Sequence, residues 1–191
     1  MHTPRKIALF GGTFDPVHAG HLHLAGLAQE LLGLDEVRFI PCKISPHKSG
    51  KPPASVADRV KMLELATAEP VWAIVDDFEI TQDTPSFSYL TAQAMHARFP
   101  ADRLFWIMGG DQWRNLPQWK HPEVLAELLE FIILSRGASL QKNEHFRSHI
   151  ITGEHPASAT AIREAIASGE PSHRWLHPEV AKWILEKGLY E

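Results

Sequence analysis

The sequence predicts an α/β fold, with a doubly wound, mostly parallel sheet and helices on both faces. Two observations carry that prediction. Short β-rich runs alternate with helical patterns along the chain, and such alternation builds a parallel sheet with crossover helices. The first apolar run, Ile7, Ala8, Leu9 and Phe10, ends in Gly11-Gly12 and leads into a helical pattern. That strand–turn–helix order is Rossmann-like, and ligands of such folds sit beyond the carboxyl ends of the strands.

Strands are expected at 6–10, 36–41, 71–75, 104–108, 131–135 and 148–152. Helices are expected at 20–32, 55–68, 86–98, 121–129, 159–168 and 178–187. In the first helix Leu24, Leu27, Ala28 and Leu31 recur at i, i+3, i+4 and i+7, a stripe expected to face the sheet. His21 lies one turn before Leu24 and tops that stripe, over the strand ends. His18 precedes it by three residues and can face the same place, while His23 falls on the solvent side. Pro41–Ala54 reads as a loop, with Pro41, Pro46, Gly50, Pro52 and Pro53. Residues 136–147 read as a polar connection. Neither marks a domain boundary and no repeat is present. Residues 1–191 are therefore expected to form a single domain, with a helical element at about 157–191 packed on it.

The 191 residues are 44% hydrophobic, enough for a substantial core. A formal net charge of −4 gives no broad basic surface for nucleic acid, so a polyanion would be met locally, in a pocket. A single cysteine, Cys42, leaves no internal disulfide framework. The first residues lack an apolar signal segment, and no apolar run nears the roughly 20 residues of a membrane span. No membrane partner is expected, and the expected location is the cytoplasm.

The chemistry concentrates in Gly11–His21. A helix N-terminus offers unpaired N–H groups and a positive dipole end, which suit a phosphate. Gly11 and Gly12 allow a close backbone approach that a side chain would block. His18 and His21 are short-range donors aimed at the same anion. A Gly-Gly turn alone would be an ordinary connection; two histidines at this spacing favour phosphate binding. A metal site at His18, His21 and His23 lacks an acidic or cysteine ligand at suitable spacing. The redox dinucleotide pattern G-x-G-x-x-G is absent after the first strand. Asp111, after two glycines, suits either a helix cap or a ribose hydroxyl acceptor. Trp119, between Gln118 and Lys120, suits either the core or a stacking platform.

The segment His18-Ala19-Gly20-His21 resembles the signature of the HxGH nucleotidyltransferase superfamily. That superfamily has a second element near its C-terminus, I-S-S-T-x-x-R, similar to Ala157-Ser158-Ala159-Thr160-Ala161-Ile162-Arg163 here. Ala157 and Ala159 depart from it, while Ser158, Thr160 and Arg163 remain. Physically this is another helix N-terminus, capped by Ser158. Further segments resemble the bacterial nicotinate-mononucleotide adenylyltransferases. They are Pro46-His47-Lys48, Asp58-Arg59 with Met62-Leu63, Thr84-Pro85-Ser86-Phe87-Ser88, and Ile107-Met108-Gly109-Gly110-Asp111 followed by Leu116 and Trp119. Ser135-Arg136-Gly137 keeps one arginine of that family's R-R-P-G, and Gly188-Leu189-Tyr190 fits its ending.

The resemblance implies adenylyl transfer from ATP to nicotinate mononucleotide, with Mg²⁺ bridging phosphate oxygens. It implies that Gly11, Gly12, Thr13, Phe14, His18 and His21 bind ATP, with His18 and His21 as the catalytic pair on its phosphates and His21 nearest the transition state. His47, Lys48 and Arg136 would help hold phosphates, Gly109 and Asp111 would meet the ribose, and Ser158, Thr160 and Arg163 the adenine and phosphates. Trp119 would stack on the nicotinate ring. Thr84 would lie in the acceptor site, and backbone amides near Ser88 and Lys120 would receive the carboxylate. Amide donors, rather than a full positive charge, suit a pocket already crowded with anions. A pantetheine-phosphate adenylyltransferase shares the first and last motifs but leaves Thr84–Ser88 and Leu116–Trp119 unexplained. A non-catalytic nucleotide sensor would account for the departures at Ala159 and Ser135-Arg136.

Overall fold

In the computed structural model, residues 3–44, 54–83, 85–135, 140–171 and 173–191 are described. Six strands form one sheet: β1 (Lys6–Gly12), β2 (Glu36–Pro41), β3 (Ala73–Val75), β4 (Arg103–Gly109), β5 (Glu130–Ser135) and β6 (Ser148–Thr152). Their order is β3-β2-β1-β4-β5-β6, and every neighbouring pair runs parallel. The inner strands are apolar on both sides because both faces are covered. Along β1, Ala8 enters one core while Ile7 and Leu9 enter the other. Along β4, Phe105 and Ile107 alternate with Trp106 and Met108 in the same way.

One face carries α1 (Ala19–Leu32), α2 (Val56–Ala66), α7 (Ala159–Ala167) and α8 (Pro178–Lys187), which supply Ala25, Ala28, Met62, Leu63, Ile162, Val180 and Ile184. The other carries α4 (Ser88–Arg98), α5 (Gly110–Asn115) and α6 (Pro122–Leu128), which supply Ala92, Met95, Trp113 and Leu125. Helices on both faces of a parallel sheet bear out the expected fold. Among the described residues no helix is long and apolar enough to cross a membrane.

Three expectations change. The expected stripe of α1 holds at Leu24, Leu27 and Ala28, which pack on the core, but Leu31 is 60% exposed, and Gly20 and Ala25 are buried beside Ala28. Small residues face the sheet because the helix lies close against it; Leu24 and Leu27 reach sideways, to where a side chain on Gly153 would sit. β3 is three residues long, since Val71 points into solvent after Pro70. Two short helices, α3 (Phe78–Thr81) and α5, occupy stretches where no helix is predicted. At four and six residues they are too short to show a helical period.

Sheet order places β1 between β2 and β4, so the chain leaves β1 toward one side and returns on the other. That reversal opens a crevice at the carboxyl ends of β1 and β4, where doubly wound folds bind ligands.

Candidate functional site

The turn after β1 is held from below by side chains distant in sequence. Arg59, 1% exposed, donates from Nη1 to the Thr13 carbonyl at 2.8 Å and from Nε to the Ala54 carbonyl at 3.2 Å. Arg163 Nη1 donates to the Asp15 carbonyl at 2.7 Å. The Asp15 carboxylate is buried and accepts from the Tyr190 hydroxyl at 2.6 Å and the Ala54 N–H at 3.0 Å. Burial, reinforced by that carboxylate, pushes the Tyr190 hydroxyl pKa up. Phe14 takes a left-handed φ of 49° and lays its ring edge-on to His21, with centroids 5.1 Å apart. Added Cβ atoms on Gly11 and Gly12 would lie 2.9 Å from the Trp106 and Phe14 rings. Both glycines are thus required by rings that close over the turn, as well as by any incoming ligand.

His18 is the N-cap of α1, and its backbone N–H donates to His21 Nδ1 at 3.2 Å. That bond makes Nδ1 an acceptor and leaves the proton of a neutral His21 on Nε2. The two rings stack, 3.8 Å between centroids. His18 is buried, and its Nδ1 has no hydrogen-bond partner among the described residues. Burial, with a smaller push from His155, lowers its pKa to about 4. Gly20 makes room for this pair: a Cβ there would lie 3.1 Å from His18 Nδ1 and 3.2 Å from His155 Nδ1. His23 is exposed, as expected, and its ring lies 5.5 Å from that of His155.

A cavity of about 620 Å³ opens beside the turn. Its walls join Gly11, Gly12, Thr13, Phe14 and His21 to Ser88, Trp119 and Lys120, all singled out in the sequence. Ser88 is the first residue of α4, so the N–H groups of that helix's opening turn face this region. Trp119 is half-buried: it packs against the core formed around α4 to α6 and also lines the cavity.

Other expected residues are not among those that line this cavity. Gly109 caps α5, and its N–H donates to Gln112 Oε1 at 3.2 Å. Asp111 is exposed and pairs with Arg114. Ser158 caps α7 as expected, accepting from the Ala161 N–H at 3.5 Å. Thr160 Oγ1 accepts from Arg163 Nη2 at 3.3 Å. His47, Lys48, Thr84 and Arg136 lie outside the described residues.

Sequence reasoning missed several residues here. Trp106 reads as an ordinary core residue, yet its ring lines the cavity over Gly11. Glu79, 4% exposed, is reached only through the short α3; Thr91 Oγ1 donates to it at 2.7 Å, and burial raises its pKa. His155 and the Tyr190–Asp15 contact depend on folding that joins residues more than a hundred positions apart.

The cytidylyltransferase-like family matches residues 9–165. A probable nicotinate-nucleotide adenylyltransferase of Neisseria meningitidis serogroup C is 37% identical over 98% of this chain and 99% of its own. The nicotinate-nucleotide adenylyltransferase of Bacillus subtilis is 35% identical over 98% of this chain and 99% of its own. The Plasmodium falciparum nicotinic acid mononucleotide adenylyltransferase complexed with NaAD has the same fold, with a TM-score of 0.79 over 97% of each chain at 20% identity. The identity and coverage of the two bacterial relatives extend the match from the glycine turn to the C-terminal helix. This chain therefore belongs to the cytidylyltransferase-like family and, within it, to the nicotinate-nucleotide adenylyltransferases.

Proposed function

We propose that this chain transfers the adenylyl group of ATP to nicotinate mononucleotide, releasing pyrophosphate and forming nicotinate adenine dinucleotide. One observation carries the reading. A single cavity joins the glycine–histidine turn, built for phosphates, to a wall of Ser88, Trp119 and Lys120, built for a flat, anionic ring. The names of the bacterial relatives support the choice of acceptor.

A phosphate oxygen of the mononucleotide attacks the α-phosphorus of ATP. The bond from that phosphorus to the β-phosphate oxygen breaks, and pyrophosphate leaves with the electron pair. The attacking oxygen is already ionised at neutral pH, so the site needs no general base. It must bring two anions together and stabilise charge as pyrophosphate departs, which is a task of positioning and electrostatics. The N-terminal N–H groups of α1 face the phosphates. His21 Nε2–H donates to the reacting phosphate, its ring oriented by the bond from the His18 N–H. His18 is neutral when the site is empty. Trp119 stacks on the nicotinate ring, and the first N–H groups of α4 receive its carboxylate.

Mg²⁺ fits as an ion carried by the nucleotide's own phosphate oxygens and water. The described residues at the turn offer imidazole and amide groups rather than a carboxylate cage. When bound, it neutralises charge on the phosphates. Gly109 and Asp111, at the start of α5, suit the ribose, and the capped start of α7 suits the adenine end.

The test is pyrophosphate release from ATP with nicotinate mononucleotide, its amide analogue and phosphopantetheine in parallel. The reading predicts turnover with the mononucleotides and none with phosphopantetheine. Turnover with phosphopantetheine alone, or with no acceptor, contradicts it.

A further inference from the structure

We infer that Glu79 is a positioning residue, a neutral carboxyl group that sets the α4 side of the cavity against the glycine turn. The inference rests on the functional reading above, which brings two anionic nucleotides into this cavity. Glu79 lines the cavity and is 4% exposed. Its helix α3 is fixed from behind. The Phe78 N–H donates to Asp76 Oδ1 at 3.1 Å, and Asp76 Oδ2 accepts from Arg38 Nη1 at 2.7 Å. From this fixed place the Glu79 carboxyl joins two segments. On one side Thr91 of α4, 1% exposed, donates from Oγ1 to Glu79 Oε1 at 2.7 Å. On the other, Glu79 is hydrogen-bonded to the side chain of Ser86. Ser86 Oγ accepts from the Lys43 N–H at 3.1 Å, and the Ser86 N–H donates to the Ile44 carbonyl at 3.3 Å. The neighbouring Cys42 N–H donates to the Gly12 carbonyl at 2.9 Å. A continuous path therefore runs from the glycine turn through Cys42, Lys43, Ser86 and Glu79 to Thr91 on α4.

Charge explains why the group is neutral. A carboxylate on this wall would repel both nucleotides. Among the described residues the hydrogen-bond partners of Glu79 are two hydroxyls and no cation, and burial raises its pKa despite them. A protonated carboxyl group accepts and donates at once. Oε1 accepts from Thr91, and the acid's own O–H has Ser86 Oγ as its acceptor. A carboxylate would only accept, so the neutral acid is the form that can serve as a two-sided link. The stretch it holds, Ser86, Phe87 and Ser88, lines the cavity. The attacking oxygen must be aligned with the α-phosphorus, and a misplacement of about 1 Å costs about a hundredfold in rate. A link between the two halves of the cavity therefore acts on the reaction of the bound pair more than on ATP binding.

The experiment measures kcat/KM for nicotinate mononucleotide, and the Kd for ATP by calorimetry, in the parent enzyme, Glu79→Leu and Glu79→Gln. Leucine fills much of the same space and removes both hydrogen bonds. Glutamine is neutral, accepts from Thr91 and donates to Ser86. Glu79→Leu is expected to lower kcat/KM about tenfold or more with the Kd for ATP within about twofold, and Glu79→Gln to restore it. Should Glu79→Leu fail to fold, Thr91→Val removes one of the two bonds at nearly constant shape. Its kcat/KM is then expected to fall about threefold or more, again with the Kd for ATP unchanged. An unchanged kcat/KM in the folded variant overturns the inference. A Kd for ATP that weakens as much as kcat/KM falls also overturns it, and leaves Glu79 a structural residue. A loss in Glu79→Gln as deep as in Glu79→Leu overturns the neutral role. Absence of pyrophosphate release by the parent enzyme with nicotinate mononucleotide overturns the functional reading itself, and is visible before any substitution is made.

Discussion

Burial holds the His18 imidazole far below an ordinary histidine, at about 4, and His155 adds a smaller push in the same direction. The unfolded chain regains a pKa of about 6.5. Below 6.5 the unfolded state therefore binds a proton that the folded state refuses, so stability falls as pH drops from 7 toward 4. Between pH 7 and 5 this one group costs about 2 kcal/mol. Urea unfolding at the two pH values should show that loss in the parent and a smaller one in His18→Asn; equal losses would remove His18 as the cause. His21→Ala should lower turnover at least about a hundredfold if Nε2–H stabilises the departing charge. Near-normal turnover removes His21 from the mechanism. Trp119→Ala should raise the KM for the mononucleotide more than it lowers kcat, whereas a stability loss with an unchanged KM would leave Trp119 to the core. The two histidines were legible in the sequence because three residues of spacing at a helix start put both rings at one end. The state of His18 was not, because it depends on how deeply the folded chain buries its ring, with His155 adding a smaller push.

Among the elements, the turn after β1 depends on the end of α8. Tyr190, two residues beyond the αL cap Gly188, reaches the Asp15 carboxylate, and Arg163 of α7 reaches the Asp15 carbonyl. The last residues thus brace the loop that faces the phosphates. Tyr190→Phe removes one hydrogen bond to a buried carboxylate and should cost about 2 kcal/mol. It should also raise the KM for ATP, measured by steady-state kinetics. A normal KM with reduced stability would confine the contact to folding. Strands and long helices were legible because burial on both sheet faces makes apolar runs, and a cap such as Ser158 marks a helix start. The face of α1 was legible at Leu24, Leu27 and Ala28, which pack on the core, while Leu31 lies in solvent because the close approach to the sheet is filled by Gly20 and Ala25. α3 and α5 carry Glu79 and Gln112 to the cavity without any period to announce them.

Across the whole molecule, the sheet order does the assembling. β1 and β4 are neighbours although nearly a hundred residues separate them, so the glycine–histidine turn meets a cavity wall supplied by segments after β3 and β4. The sequence motifs showed both halves of the site as separate stretches; their convergence is a property of topology. The proposed reaction requires this one cavity to hold both reacting partners. A crystal structure of the protein with nicotinate adenine dinucleotide tests it most directly. The account predicts the nicotinate ring on Trp119, its carboxylate at the start of α4 and Lys120, and the diphosphate at His18 and His21. A dinucleotide bound with its nicotinate ring away from Trp119, or with its diphosphate away from the histidine pair, would contradict it.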